Sequence, residues 1–130
     1  MISEWVDEGL ITYLGFTDKT VKYYQDADCI VLPSYREGMP KSLLEAMAVG
    51  KPIITTNVAG CRDLVENGEN GLLCEPKNSV SLAVAIETIC NLDVQKLAQM
   101  GNKSREMVLN TYDEKFVINK YITTLNQLKH

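Results

Sequence analysis

Histidine is nearly absent from this chain, and its one copy, His130, is the last residue. A histidine-based catalytic triad or a histidine-ligated metal centre is therefore not expected. Basic residues are also short: 13 Lys and Arg stand against 17 Asp and Glu, for a net charge of −4. A nucleic-acid-binding scaffold needs clustered cations to neutralise phosphates, so no nucleic-acid partner is expected. Long apolar runs are missing, which excludes a helical bilayer crossing in the pattern. The start, Met1-Ile2-Ser3-Glu4-Trp5, is acidic where a signal peptide is basic and then apolar. The cysteines, Cys29, Cys61, Cys74 and Cys90, contain no close pair of the kind that holds zinc. They read as reduced thiols of a cytoplasmic protein.

What is present is the make-up of a globular domain. The chain has 130 residues, 45% of them hydrophobic and 23% charged. Residues 1–130 are expected to form a single domain. Strand and helix patterns alternate, which predicts an α/β layer structure with a mostly parallel sheet. Strands are expected at 11–14, 29–32, 52–55 and 72–74. Asp18 is expected to cap a helix that carries Val21, Tyr24 and Ala27 on one face. Pro40 suits the first turn of a helix ending at Val49, with Gly50 as a left-handed cap. Leu43, Leu44, Met47 and Ala48 form its buried stripe. A short helix is expected at 61–65, and Asn67-Gly68 and Asn70-Gly71 read as turns. Three helices follow, opened by Asn78 or Ser79, by Asp93 and by Asp113. The first should bury Leu82, Ala85, Ile86, Ile89 and Cys90. Four strands are fewer than the five or six of a doubly wound nucleotide-binding sheet. The chain reads as such a sheet without its first two strands.

The segment that carries chemistry is Glu37-Gly38-Met39-Pro40-Lys41-Ser42-Leu43-Leu44-Glu45. It follows the buried strand Cys29 to Leu32, and a helix start just past a strand is where open α/β sheets bind ligands. Carboxylates accept several hydrogen bonds and suit the vicinal hydroxyls of a sugar or ribose. Gly38 permits close approach of the backbone. The helix start offers free N–H groups to a phosphate. Each charge-assisted bond contributes about 1.5–3 kcal/mol. The same residues have plainer readings, which spacing leaves open. Acidic residues favour helix N-termini on dipole grounds. Glu45 could pair with Lys41, Arg36 could sit at the surface, and Tyr35 could pack at the strand end.

Glu37 to Glu45 resembles the E-x7-E motif of family-4 (group 1) glycosyltransferases, which have the GT-B fold. The resemblance extends over Ala27-Asp28-Cys29-Ile30-Val31-Leu32-Pro33-Ser34 and over Glu45-Ala46-Met47-Ala48-Val49-Gly50-Lys51-Pro52-Ile53-Ile54. It continues through Asn67-Gly68 to Leu73 and includes Tyr13-Leu14-Gly15-Phe16, so it spans most of residues 10–80. It implies a Rossmann-like parallel sheet with flanking helices, the partial C-terminal domain of a GT-B enzyme. It also implies a nucleotide-sugar donor site, with Glu37 as the catalytic carboxylate at the donor sugar and Glu45 on the ribose hydroxyls. Gly38, Met39 and Pro40 would lie against the sugar and diphosphate, and Leu14, Gly15 and Phe16 near the nucleobase. Retention of anomeric configuration is implied, with no metal and no cofactor.

The finer likeness is to bacterial enzymes of capsular, exopolysaccharide or lipid-linked glycan synthesis, which mostly use UDP-sugars. Such an enzyme works in the cytoplasm, peripheral to the inner face of the membrane. The family's basic diphosphate clamp and its N-terminal domain, which binds most of the glycan or lipid-linked acceptor, have no counterpart in this sequence. The isolated chain is therefore expected to be inactive, with an exposed sheet edge open to self-association. Rival readings are a non-catalytic nucleotide-sugar-binding module, a truncated product without function, and another GT-B enzyme such as a sugar-nucleotide epimerase.

Overall fold

The computed structural model describes residue 9 and residues 20–33 and 40–111. Helix α1 spans Thr20–Asp26, strand β1 Ile30–Leu32, helix α2 Lys41–Val49 and strand β2 Ile53–Thr56. A 3-10 turn at Arg62–Leu64 leads to strand β3, Gly71–Cys74. Helices α3, Ser79–Cys90, and α4, Val94–Thr111, complete the described elements. The strands form one parallel sheet in the order β1-β2-β3. Ile30 pairs with Ile53, and Ile53 with Gly71. Parallel neighbours need crossover connections, and α2 supplies the first. The fold is α/β, as the alternating pattern predicts. The expected strand at 11–14, the cap at Asp18 and the helix opened by Asp113 lie outside the described residues.

Side chains of a strand alternate between faces, and the core divides accordingly. Ile53 is fully buried in one cluster with Leu43, Ala46, Met47 and Ala48 of α2, Leu64, and Val108 of α4. Ile30, Leu32 and Leu73 pack against that cluster. Ile54, one residue on, belongs to a second cluster with Ala85 and Ile89 of α3 and Met100 of α4. Both faces of the sheet are thus covered, which explains why all four residues of β2 are buried.

Helix α4 contributes to both clusters because it crosses the lower rim of the sheet, where the parallel strands begin. Two contacts fix that crossing. The Ser104 hydroxyl donates to the Asn70 carbonyl at 3.1 Å, immediately before β3. Gly101 lies so close to Gly50 that an added Cβ would run into the Gly50 carbonyl. Gly50 itself ends α2 at φ 88°, ψ 43°, the left-handed cap expected of it. The rim at the strand C-termini is left to the loops.

Three expectations are corrected by the packing. Pro40 stands at the N-cap rather than inside the helix, with φ −76° and ψ 111°, and its carbonyl accepts from Leu43 and Leu44 N–H. Asn70 closes a turn, as expected, whereas Gly71 already belongs to a strand. Asn70 is fully buried, and Gly71 opens β3 with its Cα against the Ile53 carbonyl, where no Cβ fits. Ile86 and Cys90 are exposed although they share a helical stripe with Ala85 and Ile89. They line a groove with Asp28, Cys29, Val31 and Leu97 that no described element fills.

Candidate functional site

The upper rim is built by side chains that lock the strand ends together. Thr55 is fully buried, and its hydroxyl donates to the Leu32 carbonyl at 2.9 Å, fixing the end of β1. Asn57 N–H donates to the Cys74 carbonyl at 2.8 Å and ties the end of β2 to that of β3. Asn78 caps α3 by accepting from Ser81 N–H at 2.9 Å. Ser81 in turn accepts from Glu75 N–H at 2.9 Å. Between them Lys77 adopts φ 56°, a left-handed conformation uncommon outside glycine and asparagine. The loop from β3 to α3 is therefore held in one shape.

These loops enclose a crevice of about 530 Å³. It is lined by Pro33 after β1, Thr56 at the end of β2, Cys74 at the end of β3, and Glu75, Lys77, Asn78, Ser79 and Leu82. Ligands of open α/β sheets bind outside the carboxyl ends of the strands, and this crevice occupies that place. Sequence reasoning missed it. The signal was two threonines closing an otherwise apolar strand, followed by a polar Glu-Pro-Lys-Asn link into a helix.

Of the residues expected to form the site, Glu37, Gly38, Met39, Leu14, Gly15 and Phe16 lie outside the described residues. Pro40 and Glu45 lie within them. Pro40 is buried and begins α2. Glu45 is the fifth of the nine residues of α2 and is half-buried between buried neighbours. It forms no ion pair with Lys41 and no side-chain hydrogen bond among the described residues. Tyr24 of α1 stands near it. Burial first, and then the Glu45 charge, push the Tyr24 hydroxyl above its ordinary pKa. Glu45 thus presents a carboxylate with unused acceptor capacity at the middle of the helix that follows β1. Among the described residues no group of three or more His, Cys, Asp or Glu is placed to hold a metal ion.

A parallel sheet covered on both faces, with a braced crevice at its strand C-termini, defines an α/β domain of the ligand-binding kind. Its family follows from comparison with known proteins. The family model described as glycosyl transferases group 1 matches residues 8–107. The chain belongs to that family.

A relative from Campylobacter jejuni, N,N'-diacetylbacillosaminyl-diphospho-undecaprenol alpha-1,3-N-acetylgalactosaminyltransferase, is 33% identical over 119 residues. That match covers 92% of this chain and 31% of the relative. Sucrose-phosphate synthase from Thermosynechococcus elongatus has a similar structure, with a TM-score of 0.79 and 31% identity. The likeness covers 98% of this chain and 33% of that one. Anabaena HepE, solved in complex with UDP-glucose, superposes with a TM-score of 0.77 at 27% identity, over 97% of this chain and 35% of that one. The chain therefore spans about a third of the length of these proteins. Its Rossmann-like parallel sheet with flanking helices is part of a GT-B fold.

Proposed function

We propose that this chain is the donor-binding part of a retaining glycosyltransferase that transfers a hexose from a UDP-sugar to a glycan or lipid-linked acceptor. The observation that carries the reading is Glu45. It is a half-buried carboxylate, without an ion pair or side-chain hydrogen bond among the described residues, at the middle of the helix that follows β1. Family membership supports a glycosyl donor, and the UDP-glucose complex of HepE supports uracil as its base. In this reading Glu45 accepts both ribose hydroxyls, and Pro40 sets the helix start beside the donor. Glu37 stands at the donor sugar, Gly38 and Met39 lie along the sugar and diphosphate, and Leu14, Gly15 and Phe16 border the base. The departing diphosphate assists deprotonation of the acceptor, and the reaction needs no metal. The residues of 1–130 form the second, incomplete domain of the enzyme, and the preceding domain holds the acceptor at the inner face of the membrane.

The test is calorimetric titration of the chain with UDP and UDP-glucose, repeated with Glu45→Ala. Loss of the ribose contacts should weaken both ligands by about 2–3 kcal/mol. Glu37→Ala should weaken UDP-glucose and leave UDP nearly unchanged. Equal binding by wild type and Glu45→Ala would overturn the assignment of the ribose contact. Sugar transfer by the purified chain alone would overturn its place as an incomplete half of the catalytic cleft.

A further inference from the structure

Two of the four cysteines are brought to one place by the topology. Cys29 immediately precedes β1, at the lower rim where the parallel strands begin. Helix α3 starts beside the crevice at the strand C-termini, where Asn78 caps it, and runs back to end at Cys90. Both thiols line the groove of about 390 Å³ that is flanked by Val31 and Ile86. Cys29 packs against the cluster that holds Ile89, the residue next to Cys90. The other two cysteines are placed apart from this pair. Cys61 is fully buried, and Cys74 lines the crevice at the opposite rim.

The two thiols differ in a way that sets their roles. Cys90 is exposed and open to a reagent in solution, whereas Cys29 is half-buried. Burial, then Cys90 and Asp28, push the Cys29 thiol up to about 12, so it is protonated at neutral pH. The thiolate is the nucleophile, so Cys90 is the entering thiol and Cys29 the resolving one.

We propose that Cys29 and Cys90 are a redox-active pair, which closes into a reversible intramolecular disulfide when the protein meets a small-molecule disulfide. The Cys90 thiolate attacks one sulfur of that oxidant and displaces its first thiolate, leaving a mixed disulfide on Cys90. Cys29 then gives up its proton, attacks the Cys90 sulfur and displaces the second thiolate. The protein dithiol loses two electrons, and the small disulfide is reduced to two thiols. The two cysteine protons pass through solvent to the departing thiolates. The bridge ties the start of β1 to the end of α3 across the groove, at the rim opposite the crevice.

The test is incubation of the 130-residue chain with glutathione disulfide, then alkylation of the remaining thiols, intact mass and peptide mapping. The expected product is monomeric on a non-reducing gel and has lost about 2 Da, the two thiol hydrogens. Its Cys29 and Cys90 peptides are joined, and dithiothreitol separates them again. Cys29→Ala should stop at the mixed disulfide on Cys90. Cys90→Ser, a change at an exposed position, should form no bridge and consume the Cys29 thiol roughly tenfold more slowly than wild type. A wild-type chain that stays reduced, stops as the Cys90 adduct, links to a second chain or pairs Cys29 with another cysteine would overturn the proposal.

Discussion

Asn70 shows how one residue can do the work of several turns. Its side-chain oxygen accepts from Glu66 N–H at 2.8 Å, and its amide donates to the Leu64 carbonyl at 2.9 Å. Its own carbonyl accepts from the Ser104 hydroxyl, so one buried amide joins the 3-10 turn, the start of β3 and α4. Asn70→Ala should cost about 1–3 kcal/mol, because the Leu64 carbonyl would be left without its donor. Thermal unfolding would read this as a fall of about 3–4 °C per kcal/mol for a chain of 130 residues. Asn70→Asp keeps the acceptor but loses the donor, and should not restore stability. From sequence the Asn-Gly pair is indistinguishable from a surface turn, because burial is a property of what lies on top of it. Glu45 shows the opposite balance. Its place on the helix after β1 was legible, whereas its freedom from Lys41 was not, since that depends on rotamers and neighbours.

Among the elements, α4 is the one whose role could not be inferred from its own periodicity. Leu97, Met100, Ser104, Met107 and Val108 form a stripe, as the spacing predicts. The structure divides that stripe between two clusters on opposite faces of the sheet. The division requires the helix to pass over the end of α2, and Gly101 is the residue that allows it. Alanine is favoured over glycine inside a helix by about 1 kcal/mol. At position 101 the clash is with backbone, which cannot swing aside, and overpacking costs about 1–3 kcal/mol. Gly101→Ala should therefore be destabilised on balance in urea titration, whereas Ala at an exposed glycine of a helix would be stabilising. α3 gives the converse lesson. Its stripe from Leu82 to Cys90 is continuous, yet only Ala85 and Ile89 are buried, because the groove beside β1 has no described neighbour.

At the scale of the whole molecule, stability should respond to alkaline pH through that same groove. Cys29 is pushed up from 9.0 to about 12, first by burial, then by Cys90 and, least, by Asp28, with a backbone hydrogen bond at Ile30 opposing. The folded state holds this proton more tightly than the unfolded chain does. Stability is therefore unaffected below about pH 9 and falls as pH rises from there towards 12. Tyr24, also raised, adds to the loss above its ordinary value of 10.0. Melting temperatures measured from pH 7 upward should be level at first and then decline. Cys29→Ala should flatten the decline, and an identical decline in that variant would remove Cys29 as its source.

The sequence by itself determined the class of this protein. Buried strands are mostly apolar, helices repeat every 3.6 residues, and glycine or proline marks their ends, so β1, α2 and β2 and the left-handed Gly50 could be read directly. The E-x7-E segment and its flanks were sufficient to reach the family, because they are contiguous in the chain. Tertiary structure alone decided what is assembled from distant positions. It brought Pro33, Thr56 and the Glu75–Ser79 loop into one crevice, buried Asn70, left Ile86 exposed and sent α4 across the lower rim. The physical reason is that propensity and periodicity are local, whereas burial, close backbone approach and a shared cavity depend on which parts of the chain meet in space.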